Sequence, residues 1–329
     1  MCRANDASQR TNQQHHPITT NNGVGTNHQP IVSAEVIGAT GRIGSLFLRS
    51  STTTNNTTPV AVPKGVSPGS LSPQGTPIYV ATPAQAWPLI LEDTPTARRS
   101  DLVWIGNGLP PSSDVEGTVV VPHFGVLQVH ADPVTSPDSP PTFVFGKHAA
   151  AVQRILHENG IVQVDIVNSY PAILAAAAQK LLWAASMWLL CHSSSTTPRT
   201  ALQVHNTALA DTLDELVRRE LFPALCQRLP EAFAKTPQQC NAALDYMYQY
   251  SKSMPKAIPN LELGRQEWKE RNAFFLQADG ESVVEKQRLH VELLQLVGGI
   301  SVKDIEDAVS SPSCHDGNPQ NDFGLCSKG

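Results

Sequence analysis

The sequence predicts an α/β protein: a mostly parallel sheet first, followed by an all-helical second half. Three observations carry this. A β-rich run, Ile31–Ile37, leads straight into the glycine turn GATGRIG at 38–44 and an apolar helical segment, Ile43–Leu48. Short apolar runs then recur at PIYVAT (77–82), DLVWI (101–105), TVVV (118–121) and TFVF (142–145). After Asn168 strand patterns disappear, and apolar residues return at helical spacing.

Strand, glycine turn and helix form the layout of a dinucleotide site. Glycines let the backbone approach a pyrophosphate, whose charge then faces free N–H groups at the helix N-terminus. The spacing is G-x-x-G-x-x-G, with Thr40 where the usual fingerprint has its second glycine. Gly38, Thr40, Gly41, Arg42, Ile43 and Gly44 are thus candidate cofactor contacts, the alternative being a plain βα turn. An NAD site calls for a carboxylate about 20 residues beyond the turn, to accept the ribose 2′-OH. Yet no Asp or Glu occurs from Val36 to Leu91; Lys64 stands in that place and Arg42 lies in the turn. Cations there favour a 2′-phosphate, so NADPH is expected over NAD.

Val60–Val62 reads as a short second strand, and the residues up to PIYVAT as a Ser/Thr/Pro/Gly loop. Thr82, closing PIYVAT, is a further cofactor candidate. Pro83–Leu91 reads as a helix that Pro88 must bend or shorten. DLVWI ends in Gly106-Asn107-Gly108. The run HAAAVQRILHENG buries Ala151, Val152, Ile155 and Leu156 at helical spacing and stops at Gly160. Ile161–Val167 alternates like a final strand. Ligand is expected at the carboxyl ends of such strands.

In the second half, Ala172–Cys191 is long enough to span a bilayer by the about-20-residue criterion. Gln179 and Lys180 sit near its middle, where a lysine costs about 3 kcal/mol in lipid, so a buried protein helix is expected. His205–Leu229 follows, with Leu213, Leu216, Val217 and Leu221 on one face. Thr236-Pro237-Gln238-Gln239 reads as a capping box opening a helix that buries Ala243, Leu244, Met247 and Tyr248. Glu281–Val297 and Val302–Val309, the latter capped by Ser301, read as two more helices. The expected organisation is a disordered polar tail (1–30), a nucleotide-binding domain (31–167), a helical substrate domain (168–309) and a second disordered tail (310–329).

A net charge of −5 gives no electrostatic case for nucleic acid. Cys2, Cys191, Cys226, Cys240, Cys314 and Cys326 show no metal or disulfide spacing, which fits reduced thiols and no metal site. His15, His16 and His28 read as histidines of a polar tail. Residues 1–30 lack an apolar run, so a cytoplasmic protein is expected; their Ser/Thr/Asn content and single acid leave an organelle transit peptide as the alternative.

A nucleotide domain followed by a helical one places the reaction in the cleft between them. A reductase also needs an acid for the carbonyl oxygen. No H-E-x-x-H or G-x-S-x-G occurs, nor a helical Y-x-x-x-K. Lys180 is the candidate, an ammonium in an apolar helix that either snorkels or points into the cleft. His123, after a strand and a proline, is a second possible acid or a structural histidine.

The order of glycine turn, PIYVAT-PAQAW, DLVWIGNG, FVFG and a long helix carrying AQKLLW resembles the ketopantoate reductase family and, more broadly, the 6-phosphogluconate-dehydrogenase-like enzymes. The resemblance spans roughly residues 32–297. It implies a Rossmann-like domain, a small 2-keto acid (or 3-hydroxy acid) as substrate, Asn107 beside cofactor and substrate, and Lys180 as general acid. It also implies Ser253 and Glu267 as substrate contacts, with Glu267 binding or polarising a hydroxyl; a homodimer is allowed for. Asn107 and Ser253 alternatively cap local turns, and Glu267 alternatively belongs to a surface charge run. The chain departs from the pattern at Ala184 and Trp188, where the family carries polar residues one and two turns after its lysine, and at Pro83-Ala84, where it commonly has a lysine. The GATGRIG spelling also resembles atypical short-chain reductases, which implies an NADP-binding regulator without catalysis as the alternative function.

Overall fold

Strand β1 (Ile31–Ile37) runs into the glycine turn and helix α1 (Arg42–Arg49), and the rest of the sheet is laid beside it. The computed structural model describes residues 31–49, 57–111, 117–193, 197–276 and 283–310. The sequence expectations for 1–30 and 311–329, with His15, His16, His28, Cys2, Cys314 and Cys326, fall outside these. The described residues fall in one compact unit.

One sheet of seven strands has the order β2-β1-β3-β4-β5-β6-β7. The other strands are β2 (Thr57–Ala61), β3 (Ile78–Val80), β4 (Leu102–Ile105), β5 (Thr118–Val121), β6 (Thr142–Phe145) and β7 (Val164–Ile166). Only β5 and β6 pair antiparallel. Side chains alternate between two cores, as the pleat requires. One face sends Ala34, Val36, Tyr79, Val103, Ile105, Val120 and Val144 against α1 and α3 (Ala149–Glu158). The other sends Ile78, Val80, Leu102, Trp104, Val119 and Val121 into the core of the helical half.

Several expected boundaries shift for physical reasons. β2 begins at Thr57 rather than Val60, and tolerates Pro59 because it is an edge strand. Pro88 does not bend a helix: a 3-10 turn at Ala84–Ala86 precedes α2 (Trp87–Asp93), which starts with Pro88 in its first turn. Asp101 is not a strand residue but ends a 3-10 segment, Thr96–Asp101. The alternation of Ile161–Val167 yields only three strand residues, with Val162 and Ile166 exposed.

No helix joins β2 to β3. Residues 62–77 run as a chain of turns over the β1 end of the sheet, and their backbone groups need partners. Glu35, fully buried in β1, accepts from Gly69 N (2.7 Å), Leu71 N (3.1 Å) and the Ser72 hydroxyl (2.6 Å). Arg98 donates to the carbonyls of Gly69, Ser72 and Thr76 and to Asp101 (2.8 Å). Asp101 also receives Gly75 N and Lys147. A buried polar layer thus replaces the apolar face of a crossover helix.

Helix α4 (Tyr170–Cys191) organises the second half. It is apolar on every side, as a helix surrounded by protein must be; it packs on β5, β6 and helices α5, α6, α8, α9 and α10. It is long and apolar enough to cross a membrane, yet 83% of its most apolar window is buried inside the protein. The expected helix 205–229 is broken into α5 (Ala201–His205), α6 (Leu209–Glu215), a π-type turn at Leu216–Leu221 and α7 (Phe222–Arg228). Helix α8 (Pro237–Ser253) is capped by Thr236 as expected, but Gln239 reaches Ala234 N instead of closing the box on Thr236. It buries Cys240 and Tyr250, while Tyr248 stays exposed. Three short helices, α9 (Leu261–Gln266), α10 (Trp268–Arg271) and α11 (Ala273–Leu276), have no counterpart in the sequence reading. The expected helix 281–297 is α12 (Val283–Lys286), α13 (Arg288–Leu293) and a π-type end, and α14 (Val302–Ser310) starts at the Ser301 cap.

Candidate functional site

Five strand ends lie on one edge of the sheet. β2 leads to Lys64, β1 ends at Gly38, β3 at Ala81-Thr82, β4 at Gly106-Asn107 and β5 at Pro122-His123. β2 lies on one side of β1 and β3 on the other, so the edge holds a topological switch point, the place where such sheets bind ligands.

The glycine turn is a tight cradle. Gly38 sits at φ +77°, and a Cβ there would stand 2.5 Å from Ala81 O. A Cβ on Gly44 would stand 2.1 Å from Gly38 O, so only glycine lets α1 start so close to the turn. Thr82 Oγ1 is buried beside this turn with no hydrogen-bond partner among the described residues. Thr40, Arg42 and Lys64 are exposed, and Ile43 is half-buried. A pinched turn, a helix N-terminus, an orphaned hydroxyl and two exposed cations fit a phosphorylated dinucleotide. Gly44→Ala is expected to lose about 1–3 kcal/mol of stability by overpacking and to weaken dinucleotide binding at least tenfold. Cofactor fluorescence titration checks this; unchanged affinity would remove the turn from the site.

Lys180 neither snorkels nor reaches solvent. It comes from α4, is buried, and donates to Asn107 Oδ1 at 2.7 Å and to the Pro122 carbonyl. The second half of the chain thereby meets the ends of β4 and β5. Burial, then the charge of Arg271, lowers the Lys180 ammonium to about 7. Both oxygens are neutral, so neither of these partners is a carboxylate that would hold the proton.

His123 is buried with Nε2 2.6 Å from the Tyr246 hydroxyl, its ring edge-on to Phe143, Tyr246 and Tyr250. Burial, then Lys180, lowers it to about 3, so it is neutral at pH 7 and is not an acid there. Ser253 donates to Tyr250 O within its own helix (2.8 Å). Glu267 is paired with Arg271. Ala184 is buried and apolar, and Trp188 turns its indole N–H to Asn272 Oδ1 (2.9 Å). Its ring lies where a side chain on Gly264 would be, 2.4 Å from that Cβ position. The structure therefore brings Asn107 and Lys180 together, leaves Ser253 on its own helix, and ties Glu267 to Arg271 of the same charge run. Within a run that reads as surface charge, the signal for the burial of Arg271 is its place three residues after Trp268, which is buried on the same helix face.

The fold and this edge define a class: a Rossmann-like, mostly parallel sheet joined to a helical region that sends a lysine to the sheet's carboxyl ends. Among solved structures, D-mandelate dehydrogenase in complex with NADH and anilino(oxo)acetate matches at TM-score 0.51 and 12% identity, covering 84% of this chain and 100% of that one. The probable 2-dehydropantoate 2-reductase of Bacillus subtilis matches at TM-score 0.51 and 12% identity, covering 80% of this chain and 99% of that one. No family model and no curated protein matches the sequence. At that identity the likeness is one of fold: a ketopantoate-reductase-like sheet followed by a helical region.

Proposed function

We propose that the protein is an NADPH-dependent oxidoreductase that reduces a small 2-keto acid to its 2-hydroxy acid, or alternatively oxidises a 3-hydroxy acid, with Lys180 as general acid. One observation carries the reading. The Lys180 ammonium, brought by the helical half, lies 2.7 Å from Asn107 at the edge that also bears the glycine turn. A bound nicotinamide cofactor supplies a hydride to the carbonyl carbon. Gly38, Thr40, Gly41, Arg42, Ile43 and Gly44 would hold its pyrophosphate, Thr82 would lie beside it, and Lys64 with Arg42 would face the 2′-phosphate. Asn107 orients the substrate and holds the ammonium by accepting a hydrogen bond from it. Lys180 gives a proton to the carbonyl oxygen, which becomes the hydroxyl. Ser253 and Glu267 belong to the substrate side, Glu267 through its pair with Arg271. A division at Val167 into cofactor and substrate domains is part of this proposal, as is a homodimer.

Purified protein is expected to oxidise NADPH with at least one of a panel of 2-keto acids. Lys64→Glu is expected to raise KM for NADPH about 10- to 100-fold by replacing attraction to the 2′-phosphate with repulsion, and to lower KM for NADH by offering the ribose 2′-OH a carboxylate. Absence of turnover across the panel would defeat the reductase reading.

A second reading, an NADP-binding regulator, draws on Ala184, which has no polar side-chain atom, and on Trp188, whose N–H is committed to Asn272. Tight NADP binding without turnover, unaffected by Lys180→Ala, would favour it.

A further inference from the structure

We infer that Arg271 is the anchor for the substrate's carboxylate, which makes this a site for 2-oxo monocarboxylates gripped from α10 rather than from α4. The inference rests on the reductase reading for the identity of the substrate, but the anion site it describes stands on separate geometry.

Asn272 places Arg271. Its amide donates to Ala185 O (3.1 Å) and its oxygen accepts from Trp188 Nε1 (2.9 Å). These bonds pin the end of α10 to α4 between about one and two and a half turns past Lys180, and the preceding residue, Arg271, is close enough for its charge to act on the ammonium. The Arg271 side chain is 13% exposed, and its partner among the described residues is Glu267. One guanidinium N–H group meets that carboxylate; a guanidinium has five N–H donors in a planar fork. Lys180 places two of its three donors on neutral oxygens. Glu267 balances Arg271, and the bonded partners of Lys180 are neutral, so the protonated Lys180 adds a positive charge that no described carboxylate bonded to it balances. Desolvated excess charge favours an anion, and a planar fork matches a carboxylate bidentately. α4 offers nothing equivalent: Ala184 is a methyl group and the Trp188 N–H is already engaged. With the carboxylate on Arg271, the adjacent C2 oxygen can lie against the third donor of Lys180. Arg271 is also the charge that lowers the affinity of Lys180 for its proton; a bound carboxylate offsets that repulsion.

The test pairs an acid with its uncharged twin. Arg271→Met is expected to raise KM for 2-oxobutanoate about 10- to 100-fold, with KM for 2-oxobutanamide and for NADPH within twofold of wild type. Arg271→Lys, which keeps the charge without the fork, should recover part of the loss and shows that the effect is not unfolding. An equal loss on acid and amide, or no loss on the acid, overturns the inference. A second readout needs no turnover: oxamate binding to the NADP-loaded protein by calorimetry, expected to weaken at least tenfold in Arg271→Met. Oxamate binding that depends on Arg271 in a protein that reduces no 2-keto acid supports the anchor while the reductase reading fails. Wild-type turnover with oxamate affinity unmoved by Arg271→Met overturns the anchor while the reductase reading stands.

Discussion

Lys180→Met is expected to lower kcat for 2-keto acid reduction about 10²- to 10⁴-fold, the usual worth of a positioned acid, while NADPH binds within twofold of wild type. The same residue sets the pH profile. With the ammonium lowered to about 7, by burial first and Arg271 second, the acid form is depleted above that pH. Reduction should therefore fall about tenfold per pH unit on the alkaline side, since one proton is required. The groups facing Lys180 are Asn107, the Pro122 carbonyl, Arg271 and neutral His123, so no carboxylate returns that proton at higher pH. Stability runs the other way. Between about 7 and the ordinary lysine value of 10.5 the unfolded chain holds a proton on Lys180 that the folded chain has lost. Folding stability contributed by this group rises with pH in that window, by at most about 1.4 kcal/mol per unit. Lys180→Met removes the slope. The difference between the wild-type and variant denaturation curves across pH 7–10 isolates it from the tyrosines and cysteines that titrate there. A variant with wild-type kcat, or a difference curve flat in pH, would refute the assignment of the acid.

Arg98→Met should cost about 3–5 kcal/mol, because it strips one partner from a buried ionic layer and leaves the rest uncompensated. Asp101 is fully buried, and Arg98 and Lys147 are its close cations, with His148 at 3.4 Å. Loss of Arg98 also strands the carbonyls of Gly69, Ser72 and Thr76 that fix the long loop from β2 to β3. Burial by itself would raise the Asp101 carboxyl; Lys147, Gly75 N–H and Arg98 together hold it below the usual value. Its folded value being depressed, its contribution is full above the ordinary carboxylate range and is lost as pH falls through the lowered value. The variant should lose stability at a higher pH on acidification than wild type does. Urea denaturation at pH 7 measures the main effect. A change under 1 kcal/mol would mean that the loop is held by other contacts.

The elements legible in the sequence were those whose cause is local. A β-rich run ending at Ile37, a turn that only glycines can make at 38 and 44, TVVV, TFVF, the Gly160 stop and the Thr236 and Ser301 caps each involve neighbours in the chain. The 22-residue apolar helix was legible for the same reason, because a helix apolar on all sides has nowhere to go except a core or a membrane. What only the tertiary structure decided depends on residues far apart. Glu35, Arg98 and Asp101 look like scattered charges until the chain folds them under a loop that lacks a helix. Asn107 and Lys180 are 73 residues apart, and their 2.7 Å contact exists only because α4 packs on β5 and β6. Arg271 reads as a surface cation, since its burial follows from Trp268 anchoring the same helix in the core and from Asn272 reaching Ala185 on another helix. Long helical periods were also cut short, at α5–α7 and α12–α13, because packing around α4 rewards short segments that can turn, a demand that no stretch of sequence carries by itself.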